Sequence, residues 1–200
     1  IAADGSYRFA TNGAFDDLAA GETRATAVTY RVSDGQGGFD TAQLVVTVLG
    51  SNDGPVAVAD SAATDQNTRL AIEAGRGVLA NDRDVDNGDT LRVVAVAGRS
   101  DGVTTAVAGS QGGRFTLAAD GSYVFDPGDD FASLAAGQTA TTQVSYTVSD
   151  SQGVTADSMV SVTVTGINDA PTARGQLPDQ SASDGNQVSI NTAGGFADVD

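Results

Sequence analysis

The chain has 200 residues, 26 of them acidic and 10 basic, a net charge of −16, and no cysteine, histidine, lysine or tryptophan. Within it this composition excludes Ser-His-Asp and Cys-His nucleophiles, Schiff-base lysines, His/Cys zinc or haem sites, and disulfides. So acidic a chain repels nucleic acid and anionic membranes, and no apolar run reaches the roughly 18–20 residues of a spanning helix.

Taken in chain order, the first stretch, Ala3–Pro55, recurs at Ala119–Pro171 with a constant offset of 116 residues and no gap. Identity at 27 of the 53 aligned positions marks a tandem array of similar domains, each rebuilding one packed unit. A unit of this length can hold its own core. The expected organisation is residues 1–54 as the back part of one repeat, 55–170 as a complete repeat, and 171–200 as the start of another. The chain opens on Ile1, contains only Met159, and stops inside an acidic motif, which points to an internal segment of a longer protein.

The periodicity is that of strands. In the first part Val28, Tyr30 and Val32, then Leu44, Val46 and Val48, alternate with polar residues. The complete unit predicts about seven strands, near 56–60, 68–73, 91–97, 114–118, 122–126, 142–149 and 158–165. Phe115 and Leu117 lead through Asp120-Gly121 to Tyr123 and Phe125, a hairpin pattern. The DDFASLAAG segment at 129–137 is the best candidate for a helical turn. Short alternating strands separated by turn residues indicate an all-β fold, a Greek-key immunoglobulin-like sandwich. Residues 1–54 lack the first two strands of such a unit. They are expected to expose a sheet edge and to be the least stable part.

Of the acidic residues 24 are aspartate and only Glu22 and Glu73 are glutamate. Short carboxylates on Gly-rich turns suit divalent-cation loops, and equally suit soluble acidic turns. Sandwich topology gathers three acidic elements at one end of the complete unit. They are Asn52 and Asp53 in the linker, Asp82, Asp84, Asp86 and Asp89 in the loop Asn81–Asp89, and Asp150 in the loop Ser149–Gly153. Asp34 holds the position of Asp150 in the preceding copy. Asp16, Asp17, Asp129 and Asp130 fall at non-equivalent positions in the two copies and are weaker candidates.

Three segments carry a family resemblance. VSDGQGG at 32–38, GVLANDRDVDNGDTL at 77–91 and VTVTGINDAP at 162–171 resemble the VCBS and cadherin-like repeats of giant bacterial surface adhesins, which often carry RTX tails. QLPDQSASDGNQ and FADVD, within 176–200, resemble the opening of a dystroglycan-type cadherin-like repeat. The RTX nonapeptide itself is absent from the sequence. The resemblance implies an extracellular or cell-surface extender whose partners are neighbouring repeats, with Ca²⁺ at each junction. In cadherins an N-D linker and the D-x-D loop of the next domain hold calcium, and Asn52-Asp53 and Asp84-Val85-Asp86 match those elements. At the following junction Asn168-Asp169 would meet Asp198 and Asp200.

Two other readings compete. Catalytic carboxylate pairs of the glycosidase type need a cleft that nothing here suggests. A carbohydrate- or protein-binding module would use exposed aromatics. Tyr7, Phe9, Tyr30, Tyr123, Phe125 and Tyr146 fall on strand faces suited to a core, so Phe39 and Phe196 are the loose candidates.

Overall fold

The computed structural model describes residues 1–175, 181, 183, 184, 187, 189 and 195–199. In the first repeat copy, β1 (Thr23–Ser33) and β2 (Phe39–Leu49) form an antiparallel hairpin paired in full from Thr23–Leu49 to Ser33–Phe39. The complete unit follows, with β3 (Asp60–Asp65), β4 (Leu70–Ile72), β5 (Arg92–Val96), β6 (Val107–Ala108), β7 (Arg114–Leu117), β8 (Tyr123–Asp126), β9 (Thr139–Ser149) and β10 (Thr155–Thr165). Beyond it, β11 (Thr172–Ala173) pairs with β12 (Phe196–Ala197).

The complete unit is a β-sandwich. One sheet has the order β3-β10-β9-β5 and the other β4-β8-β7-β6. β3 joins β10 in parallel, and the other neighbours are antiparallel. Alternation decides which side chains meet between the sheets. Val160, Val162 and Val164 of β10 and Val144, Tyr146 and Val148 of β9 face Phe115, Leu117, Tyr123 and Phe125 of the opposite sheet. Each such burial contributes about 1.5–3 kcal/mol relative to exposure. Phe115 and Phe125, paired across the β7–β8 hairpin, hold their ring centroids 4.7 Å apart.

Several expectations shift. The first strand begins at Asp60, not 56, because the chain before it is engaged elsewhere, as described below. Residues 129–137 form turns without a helix, and the short helical turns lie instead at Ala74–Arg76 and Ser100–Gly102.

The two copies differ in what covers them. Tyr123 and Phe125 are 5 % and 0 % exposed, whereas their counterparts Tyr7 and Phe9 are 59 % and 39 % exposed. Residues 6–10 form no strand, because the partners that β4 and β7 give β8 have no counterpart among the described residues of the first copy, which begin at the position of β7's last residue. One glycine is used identically in both copies. A Cβ on Gly50 would collide with the Leu18 and Ala19 carbonyl oxygens, and one on Gly166 with those of Leu134 and Ala135. Gly50 donates its N–H to Glu22 and Gly166 to Gln138, so each unit exits its last strand pressed against the preceding turn.

Candidate metal centre

The linker does not pass freely from one copy to the next. Val56 and Arg83 exchange both main-chain hydrogen bonds, at 2.7 and 3.1 Å, so the linker runs antiparallel to the loop Asn81–Asp89. Carboxylates extend this ladder where backbone partners end. The Asp53 N–H donates to Asp86 Oδ2 at 2.9 Å, and the Val58 N–H donates to Asp82 Oδ1 at 2.7 Å. The loop thereby takes the donors that would otherwise start the first strand at residue 56.

The loop holds its own shape through an aspartate turn, with the Asp86 N–H donating to Asp84 Oδ1 at 3.0 Å. Carboxylate oxygens of Asp84, Asp86 and Asp89 all lie within 4.8 Å of one another. Asp89 receives the Ser151 N–H at 3.0 Å, which joins the loop to the β9–β10 turn. Within that turn Asp150, 1 % exposed, accepts the N–H groups of Gln152 and Val154 at 2.9 and 2.7 Å. Its other oxygen accepts Asn52 Nδ2 at 2.8 Å. Asp34 accepts the corresponding N–H groups of Gln36 and Gly38, so this turn is a repeated feature. The preceding copy reaches the loop as well, since the Asp17 carbonyl accepts the Asn87 N–H at 3.0 Å. The Asp17 carboxylate is occupied by a bidentate pair with Arg24.

The electrostatics are one-sided. Asn52 Oδ1, Asn81 Oδ1, Asp82 Oδ2, Asp84 Oδ2 and Asp86 Oδ1 are buried oxygens with no hydrogen-bond donor. Each such acceptor costs about 1–3 kcal/mol of lost solvation. The two ion pairs among the described residues, Arg24–Asp17 and Arg99–Asp101, leave these carboxylates unpaired. The Asn52 amide, and then the backbone N–H groups of its turn, hold the Asp150 carboxyl below its ordinary pKa. Ser151 does the same for Asp89. Burial pushes Asp60 and Asp82 upward. An all-oxygen set rich in carboxylates fits a hard cation, because Ca²⁺ takes six to eight oxygens at about 2.3–2.6 Å.

The structure therefore brings Asn52, Asp53, Asp84, Asp86, Asp89 and Asp150 to one place. Asp82 lies outside the close group of three. It sits further along the ladder, near Asp60 and the Tyr146 hydroxyl. At the next linker Asn168 Nδ2 donates to the Asp169 carbonyl at 2.7 Å, as Asn52 does to Asp53 at 2.6 Å. Asp169 accepts Gln66 Nε2 at 2.8 Å. Asp198 follows β12, whose Ala197 pairs with Thr172, and Asp200 lies outside the described residues. Sequence reasoning missed Asn81, Asp60 and Gln66. Asn81 adjoins the acidic run, and Asp60 shares the inward side of β3 with Ala62.

A family model for the bacterial cadherin-like domain matches residues 52–166. A curated relative named as the calcium-binding lectin RapA2, from Rhizobium johnstonii, is 32 % identical over 175 residues, covering 82 % of this chain and 70 % of its own length. The chain belongs to the bacterial cadherin-like domain family. It is thus an adhesion-type module of an extracellular or cell-surface protein, in a group whose members are not enzymes. Among solved structures, protocadherin gammaB7 EC3-6 aligns at 15 % identity and a TM-score of 0.41, over 77 % of this chain and 36 % of that one. The protocadherin gammaB4 extracellular domain aligns at 18 % identity and a TM-score of 0.43, over 77 % of this chain and 24 % of that one. The chain therefore spans about a third or less of either protocadherin. No helix among the described residues is long and apolar enough to cross a membrane.

Proposed function

We propose that this segment is an extender of a large bacterial adhesin, in which Ca²⁺ held at each junction fixes one repeat against the next. Asn52, Asp84 and Asp86 would hold the ion at the first junction, with Asp53, Asp89 and Asp150 around them. The observation that carries this reading is that a linker oxygen, Asn52 Oδ1, and two oxygens of the following unit, Asp84 Oδ2 and Asp86 Oδ1, are each buried without a donor. Bound Ca²⁺ supplies positive charge that cancels their mutual repulsion. The residues themselves do the positioning. Asp150 orients the Asn52 amide, the Asp53 N–H orients Asp86, and Ser151 orients Asp89. An extracellular module of this kind binds at about 10⁻⁴–10⁻³ M. The test is thermal melting and small-angle scattering of the chain in Ca²⁺ and in EDTA. Calcium is expected to raise the melting temperature and lengthen the particle. If neither changes, the junction reading falls.

The relative named as a lectin favours a second reading, carbohydrate binding. Phe39 is exposed, but the Arg31 guanidinium lies 3.5 Å from its ring centroid and occupies a face that a sugar would stack on. Saturable binding on a glycan array by the 55–170 unit would support this reading, and a blank array would remove it.

A further inference from the structure

We propose that Asp60, Asn81 and Asp82 form a second hard-cation site inside the complete unit, separate from the junction and serving to lock the linker into the sandwich. Position separates the two groups. The antiparallel ladder sets Asp86 opposite Asp53 at one end, with the Val56–Arg83 pair between, and Asp82 against Val58 at the other. The oxygens of Asp84, Asp86 and Asp89 cluster within 4.8 Å, and Asp82 is not among them.

Asp82 meets different neighbours. The Tyr146 hydroxyl donates to Asp60 Oδ2 at 2.9 Å and stands 3.1 Å from the Val78 carbonyl and 3.2 Å from the carbonyl of Val58, whose N–H donates to Asp82 Oδ1 at 2.7 Å. Asp82 is 9 % exposed, its Oδ2 has no hydrogen-bond partner, and neither has Asn81 Oδ1.

Three occupants could answer two orphan oxygens beside two buried carboxylates. A proton on Asp82 Oδ2 neutralises that carboxylate but leaves the charge of Asp60, held by the Tyr146 hydroxyl, in place. A water molecule supplies donors but no charge. A cation with oxygen preference supplies both the bonds and the charge to a set made of two carboxylates and an amide oxygen. Ca²⁺ balances two carboxylates. The ion would connect the start of β3 (Asp60) to the loop (Asn81, Asp82) within a single unit.

The test uses the full 200-residue chain with Asp84→Asn and Asp86→Asn together, which disables the junction and leaves the inner group intact. Folding is checked by circular dichroism and Ca²⁺ stoichiometry is measured by equilibrium dialysis. One Ca²⁺ is expected to remain bound, and adding Asp60→Asn, which preserves an acceptor for Tyr146, should abolish it. Tb³⁺ in the same background should be excited through tyrosine, and Tyr146→Phe should lower that emission severalfold. A folded double variant that binds no Ca²⁺ overturns the inner site and leaves the junction reading standing. Tb³⁺ emission unaffected by Tyr146→Phe also overturns it. If the unmodified chain binds no Ca²⁺ at all, both readings fall.

Discussion

The main-chain N–H of Asp53 donates to Asp86 Oδ2 at 2.9 Å while Asp86 Oδ1 is buried with no donor. One carboxylate thus ties the linker to the next unit with one oxygen and presents the other to a ligand. Asp86→Ala should lose the calcium-dependent rise in melting temperature and weaken Ca²⁺ binding by at least about tenfold. Without calcium its stability should change little, because loss of a repelled carboxylate offsets loss of the Asp53 hydrogen bond. Differential scanning calorimetry with and without Ca²⁺ separates the two effects. An unchanged calcium response would remove Asp86 from the site.

Asn52 governs the ionisation of Asp150. The Asn52 amide is the largest cause of the lowered Asp150 pKa, so Asn52→Ala should return it toward the ordinary aspartate value. A depressed folded pKa contributes stability that is complete above the unfolded value and lost as pH falls through the folded one. The variant should therefore be less stable than the parent chain above about pH 4, and the difference should close as pH falls through the folded Asp150 value. Carboxyl-carbon NMR titration reads the shift directly, and an unmoved Asp150 would contradict the assignment.

Asp60 and Asp82 give the opposite slope. Burial raises both, so the folded state binds protons more tightly than the unfolded chain. Their contribution is complete below the unfolded pKa and is lost as pH rises through the folded values. In EDTA, urea midpoints should fall as pH climbs from about 4 toward 7, and Asp60→Asn should flatten that slope. A midpoint independent of pH in this window would exclude the effect. Saturating Ca²⁺ should reverse the trend, since the carboxylates must then be ionised.

Gly166→Ala should destabilise the complete unit by about 1–3 kcal/mol, because the new Cβ meets the Leu134 and Ala135 carbonyl oxygens. Ile167→Ser is the matching control, one residue further along at an exposed position, and should cost less. Equal effects from the two substitutions in urea denaturation would dismiss the close approach as the cause.

Exposure of Tyr7 and Phe9, against burial of Tyr123 and Phe125, should appear as a difference in local stability. A lone two-stranded hairpin is marginal in water. Amide exchange in β1 and β2 should be faster by orders of magnitude than in β9 and β10, although both hairpins pair eleven residues per strand. Matching protection would show that the first copy is covered in solution.

The alternation Val144, Tyr146, Val148 is legible in the sequence because a period of two is local and belongs to any half-buried strand. The hairpin through Asp120-Gly121 is legible for the same reason. The start of β3 is not, since Val56 and Val58 alternate as a strand should, but their N–H groups are claimed by Arg83 and Asp82. Nothing local announces that competition. Asp84, Asp86 and Asp150 can be read from spacing and turn chemistry. Asn81 cannot, because an amide in a turn becomes an orphan only once tertiary packing removes water from it. Asp60 leaves a fainter trace, an acid in phase with inward Ala62.

The parallel register of β3 with β10, from Asp60–Val160 to Asp65–Thr165, joins the strand by which the chain enters the unit to the strand by which it leaves. Tension applied to the two ends of the unit would pull these two strands in opposite directions along their length. The load falls on the whole row of hydrogen bonds at once, in shear, and not on one bond after another as it would in peeling. A unit wired this way would resist force applied through its two ends.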